Sequence, residues 1–183
     1  MNILAICGSL RRGSSNLGLL RAASRLAPSP MKVSIYEGLG ALPHFNPDLD
    51  REGATPPQPV RELRALIGEA AGLLISSPEY AHGVPGSMKN ALDWLVSSPE
   101  PIGKPVLLLN AAANGGEFAQ ASLAETLRVM GFDLLTDASR MTPFLLQKLD
   151  DEGSLIDSES ATAIRTSLDA LGATIRQRHA ARD

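Results

Sequence analysis

One cysteine, one tryptophan, two tyrosines and four phenylalanines are all that this 183-residue chain holds of those four residue types. The lone Cys7 excludes an intramolecular disulfide and gives no basis for a cysteine-rich metal site. Nor is there an apolar run near the roughly 20 residues that a membrane-spanning helix needs. Charge of one sign is lacking too: 17 basic and 20 acidic residues leave a net charge of −3, without the positive excess that marks nucleic-acid binding. A small-molecule partner is therefore expected, with no nucleic acid and no membrane span. The chain enters directly into Ile3–Cys7 with no basic leader before it, a stretch too short for a signal-peptide core, so the expected location is cytoplasmic. At 44% apolar and 20% charged residues the composition is that of a globular protein, and no linker-like stretch divides it, so residues 1–183 are read as a single domain.

Continuous apolar segments alternate with amphipathic ones. Residues 2–7, 31–36, 72–76 and 105–110 read as strands, and a short fifth is expected near 132–139. Helices are expected at about 16–26, 60–71, 86–96, 119–130 and 158–178, the last with Ala161, Ile164, Leu168, Leu171 and Ile175 spaced by threes and fours. The segment 38–59 is rich in Pro, Gly and Asp and reads as a long surface excursion. Its first half, around Phe45, is expected to wall a pocket, and its second half from Asp50 to be purely solvated. Such alternation implies an α/β fold, a doubly wound five-stranded parallel sheet of order 2-1-3-4-5 with helices on both faces. Ligands of such sheets bind at the carboxyl ends of strands where the winding reverses, which singles out the loops after Cys7, Ser77 and Asn110.

The first loop, Gly8-Ser9-Leu10-Arg11-Arg12-Gly13-Ser14-Ser15-Asn16, has the composition of a phosphate cradle, with glycines for close approach, hydroxyl donors and cationic arginines before a helix. Ser14-Ser15 stands where a nucleotide-hydrolase loop needs Lys and Ser or Thr, and the three-glycine dinucleotide fingerprint is absent. The loop suits one terminal phosphate that is held and not transferred; the plainer alternative is an ordinary capped turn with solvated arginines.

The second loop runs Ser77-Pro78-Glu79-Tyr80-Ala81-His82-Gly83-Val84-Pro85-Gly86-Ser87-Met88-Lys89-Asn90-Ala91-Leu92-Asp93-Trp94. With Gly8, Ser9, Arg11, Ser14 and Asn16 of the first, it resembles the motifs of the NADPH-dependent FMN reductase family, which includes quinone and chromate reductases of flavodoxin-like fold. The resemblance implies that Ser9, Arg11, Ser14, Ser15 and Asn16 hold the phosphate of FMN. By the same resemblance Pro78, Glu79, Tyr80, Ala81, His82 and Gly83, with Ala112 and Asn114 of the third loop, contact the flavin. Ala81 departs from the family's usual Asn and Gly83 from a common Ser, while Gly115-Gly116-Glu117-Phe118 replaces the frequent Gly-Gly-x-Arg. His82 either reaches the flavin edge or the nicotinamide pocket or is solvated, and Phe118 reads as core.

The activity implied is NAD(P)H-dependent: hydride passes from NADPH or NADH to FMN, and a free flavin, quinone or similar acceptor is then reduced. The cofactor carries the chemistry, so no catalytic side chain and no metal are expected. The alternatives are a flavodoxin-type electron carrier and a flavin-less ligand-binding domain on the same scaffold; near-balanced charge and 4% aromatic residues argue against the carrier. Met88, Leu92, Trp94 and Leu95 look too apolar for one sheet face, which predicts a homo-oligomer, dimer or tetramer. Cys7 reads as core, and His44 and His179 have no partners at metal-ligand spacing.

Overall fold

The computed structural model describes residues 1–112, 115–141 and 157–181. The elements follow in the order β1 (Asn2–Cys7), α1 (Ser15–Leu26), β2 (Lys32–Tyr36), α2 (Gln58–Glu69), β3 (Gly72–Ser76), α3 (Gly86–Asp93), β4 (Pro105–Asn110), α4 (Glu117–Val129), β5 (Asp133–Leu134), β6 (Arg140–Met141) and α5 (Ser158–Ala180). The strands pair in the parallel order β2-β1-β3-β4-β5, with β6 also against β4. Side chains alternate across the pleat, which explains why the apolar runs are continuous: each central strand feeds two cores. Leu4, Ile6, Leu73, Ile75, Val106 and Leu108 meet α2, α3 and α4 on one face. Ile3, Ala5, Leu74, Leu107 and Leu109 meet α1 and α5 on the other. Cys7 joins this second core, and burial raises its thiol pKa, as expected of a packing residue.

The fifth strand differs from the expectation. It is split into two pieces that lie on the same neighbour in different registers, Pro105 opposite Asp133 but Leu109 opposite Arg140. A 3-10 turn at Thr136–Ala138 takes up the extra length. Ser139 bridges the break, its Oγ accepting from Leu108 N at 3.1 Å and donating to the Leu135 carbonyl at 2.8 Å. An edge strand tolerates this interruption because only one side of its ladder is paired.

The long segment after β2 is more tightly held than its composition suggests. Trp94 Nε1 and Asn90 Nδ2 both donate to the Pro43 carbonyl, at 2.8 and 2.9 Å, and Phe45 N donates to Asn90 Oδ1 at 2.8 Å. The half-buried Phe45 ring meets Trp94 edge-on, with centroids 5.1 Å apart, so one side of it is taken up in packing. Asp50, expected to be solvated, is buried in an ion pair with Arg64 at 2.8 Å and accepts from Ser97 Oγ. Met88, Leu92, Trp94 and Leu95 are all buried within the chain itself. The apolar surplus that suggested an oligomer is therefore used in the monomer's own core, with Trp94 as the buried C-cap of α3.

Candidate functional site at the carboxyl edge of the sheet

Three loops converge beyond the ends of β1, β3 and β4, and the residues that join them are short and polar. Gly8 N donates to the Ser76 carbonyl at 2.8 Å, and its own carbonyl accepts from Ser87 Oγ at 3.0 Å. A side chain at Gly8 would overlap Ser77, so only glycine lets the first loop pass this close to the second. Asn16 is buried, and its Oδ1 accepts from Ser76 Oγ at 2.8 Å and from Ala111 N at 3.1 Å. One side chain thus ties the start of α1 to the ends of both β3 and β4. Asn16's bridging role is not visible from local spacing, because its partners lie 60 and 95 residues away.

Ser14 caps α1: its Oγ accepts from Leu17 N at 3.4 Å and its carbonyl from Gly18 N at 3.0 Å. The amides of Ser15 and Asn16 have no hydrogen-bond partner among the described residues, and the first turn carries no acid. Ser9 Oγ accepts from Arg11 N at 3.3 Å, while Arg11 and Arg12 extend exposed, with no acidic partner among the described residues. A helix terminus with free amides and cations beside it suits an anion.

The second loop forms a tight hairpin. Tyr80 N donates to the Gly83 carbonyl and Gly83 N to the Tyr80 carbonyl, at 3.0 and 2.9 Å, while Ala81 and His82 take φ of 50° and 60°. Positive φ at both central positions defines a type I′ turn, which favours Asn and Gly. The departure at Ala81 is thus a matter of backbone conformation as well as a lost side-chain hydrogen bond. The amides of Ala81 and His82 are left without partners among the described residues. Pro78 is half-buried and Tyr80 exposed.

Glu79 Oε2 accepts from Ala119 N at 2.9 Å and so caps α4, joining the second loop to the third. Beside this bond, the His82 ring stacks on Phe118 with centroids 4.4 Å apart and planes 13° from parallel. Phe118 is not core: it is 58% exposed. Ala112 is half-buried against Gly116, whose φ of 104° bends the chain into α4; Asn114 lies outside the described residues. At the end of β4 the buried Asn110 has neither Oδ1 nor Nδ2 bonded to any of the described residues, an orphaned amide beside the convergence of loops.

An open parallel sheet with an anion cradle, free amides and a half-exposed aromatic surface at its winding switch defines an α/β binding protein for a phosphate-bearing planar ligand. The family model described as NADPH-dependent FMN reductase matches residues 1–144, and the chain belongs to that family. It is similar to a quinone reductase of Escherichia coli K12, 31% identical over 182 residues, covering 97% of this chain and 96% of the relative. An NAD(P)H-dependent FMN reductase of Pseudomonas aeruginosa is 33% identical over 181 residues, with 97% and 96% covered. Among solved structures, the flavoenzyme NAD(P)H:(acceptor) oxidoreductase FerB from Paracoccus denitrificans superposes with a TM-score of 0.86 at 26% identity, over 96% of this chain and 97% of that one. An archaeal flavodoxin, at 17% identity and a TM-score of 0.62, shares the fold.

Proposed function

We propose that the protein is an FMN-dependent NAD(P)H oxidoreductase that reduces a quinone, a free flavin or a similar small acceptor, with residues 1–183 acting as one FMN-binding domain. The observation that carries this reading is that the first amides of α1 and the side chains of Arg11 and Arg12, without partners among the described residues, meet at the sheet's switch point. FMN, when bound, supplies the redox chemistry, accepting a hydride from NADPH or NADH and giving its electrons to the acceptor.

The chain's part is binding and orientation. Ser9, Arg11, Ser14 and Ser15, with the free helix amides, would hold the phosphate dianion. Asn16 acts at one remove, keeping the loops together through its carbonyl oxygen, and Glu79 does the same from the hairpin. The unpartnered amides of Ala81 and His82 and the orphaned amide of Asn110 are available to the polar edge of a flavin ring, while Pro78, Tyr80, Gly83, Ala112 and Asn114 supply its surroundings. These polar groups suit FMN because they lack partners among the described residues. The reductase names of the relatives support this reading over an electron carrier or a flavin-less binding domain.

No helix among the described residues is long and apolar enough to cross a membrane. We further propose a cytoplasmic homodimer or homotetramer; exposed Val96, Ile102 and Val129 offer apolar surface in place of the buried α3 residues. The test is the visible spectrum of the purified protein, followed by anaerobic NADPH or NADH and then a quinone. Bleaching and return of the flavin bands are expected. A yellow protein that neither nucleotide bleaches would be a carrier, and a colourless one that refuses FMN would lack the cofactor site.

A further inference from the structure

Phe118 is a large apolar side chain left more than half exposed at a place where the backbone is held still. Its neighbour Ala119 is bonded to Glu79, and its ring lies on His82, which belongs to the closed Tyr80–Gly83 hairpin. Tyr80, on the same hairpin, is 56% exposed. Two segments 36 positions apart in sequence are therefore locked together to present one aromatic surface on the edge of the sheet where ligands bind. A Cβ placed at Gly115 would lie 3.7 Å from both Glu79 Oε1 and Glu117 Oε2, so two carboxylates converge beside the stacked pair.

We propose that the His82–Phe118 pair is the wall against which an uncharged aromatic acceptor lies, and that with Glu79 and Glu117 it selects such acceptors over small inorganic anions. Planar rings gain from offset or edge contact with a fixed aromatic face, and a preordered pair binds them without the entropy cost of ordering a mobile side chain. An anion approaching the same surface meets two carboxylates and no cation at position 118. The inference deepens the proposed oxidoreductase reading and rests on it.

The test uses FMN-loaded protein with NADPH at one fixed pH, and compares menadione, an uncharged naphthoquinone, with ferricyanide, an inorganic anion. Phe118→Ala is expected to raise the KM for menadione about three- to tenfold, the value of one aromatic contact. The menadione dissociation constant of the oxidised protein, read by calorimetry, should rise in parallel, while kcat/KM for ferricyanide stays within about twofold. Phe118→Trp should retain the preference and Phe118→Arg should shift it toward ferricyanide. More than half of the side chain is exposed, so the unfolding midpoint of Phe118→Ala should drop only slightly, by the worth of the lost stacking on His82. Equal shifts for both acceptors, or an unaltered menadione dissociation constant in Phe118→Ala, would overturn the wall while leaving the oxidoreductase reading intact. A parent protein that cannot be reduced by either nucleotide would instead remove that reading.

Discussion

Ala81 sits at φ 50° at the first central position of the hairpin turn, exposed and without a side-chain partner. A residue with a Cβ pays about 1 kcal/mol for the left-handed region, and asparagine is enriched there because its short amide supports it. Ala81→Asn is therefore expected to stabilise the protein by about 0.5–1 kcal/mol, with no packing to lose. On a domain of this size that corresponds to a rise in Tm of roughly 1–4 °C. Ala81→Gly removes the same steric conflict but loosens the unfolded chain by about 0.5–1 kcal/mol, so it should fall between alanine and asparagine. A β-branched side chain makes the conflict worse, and Ala81→Val should lose at least about 1 kcal/mol. Urea unfolding of the apoprotein reads all of these, with unchanged m-values confirming that only stability has moved. The reasoning fails if valine is as stable as alanine, or if asparagine leaves the midpoint where it was.

Arg11→Ala should weaken FMN binding about tenfold to a hundredfold by removing a charge-assisted contact to the phosphate, and leave riboflavin affinity unaltered. Equal losses for both flavins in fluorescence titrations would take Arg11 out of the cradle. Asn16→Ala strands the Ser76 hydroxyl and the Ala111 amide in a buried site and should cost about 2–4 kcal/mol in urea unfolding, most of it restored by an acceptor in Asn16→Asp. A loss below about 0.5 kcal/mol would mean that water replaces the tie. Burial raises the pKa of Cys7, and burial followed by the Glu62 charge raises that of Tyr36. Both groups must stay protonated longer in the folded chain, so their stabilisation is complete below their ordinary pKa values and disappears as pH climbs through the raised ones. Urea midpoints should drop steeply in alkaline buffer and less steeply in Cys7→Ala; identical slopes would refute the assignment to Cys7.

What the chain discloses along its length and what it conceals divide on physical lines. The limits of β3 and β4 are legible because strands buried on both faces must be apolar without interruption. β5 and β6 are not, since an edge strand is free to break and Ser139 can stand in for the missing ladder bond. The cluster of hydroxyls and arginines at Ser9, Arg11 and Ser14 can be read locally because its members lie within one loop of the chain. Asn16 looks locally like one more donor, and only the fold reveals that its oxygen faces Ser76 and Ala111. Phe118 carries no sign that His82 awaits it, and Pro43 none that Trp94 does. Contacts between segments far apart in sequence leave composition and period unchanged, which is why Phe45 reads equally well as a pocket wall and as a packing residue.

The bonds of Asn16 also set an order of events during synthesis. The hydrogen bond from Ala111 cannot form until β4 has left the ribosome, and that from Ser76 waits for β3. A nascent chain that has produced only its first strand and helix holds every side chain of the cradle but not the bonds that fix its shape. The shape of the first loop is therefore completed late in biogenesis, when roughly three fifths of the chain has emerged and the loop is finally braced from behind.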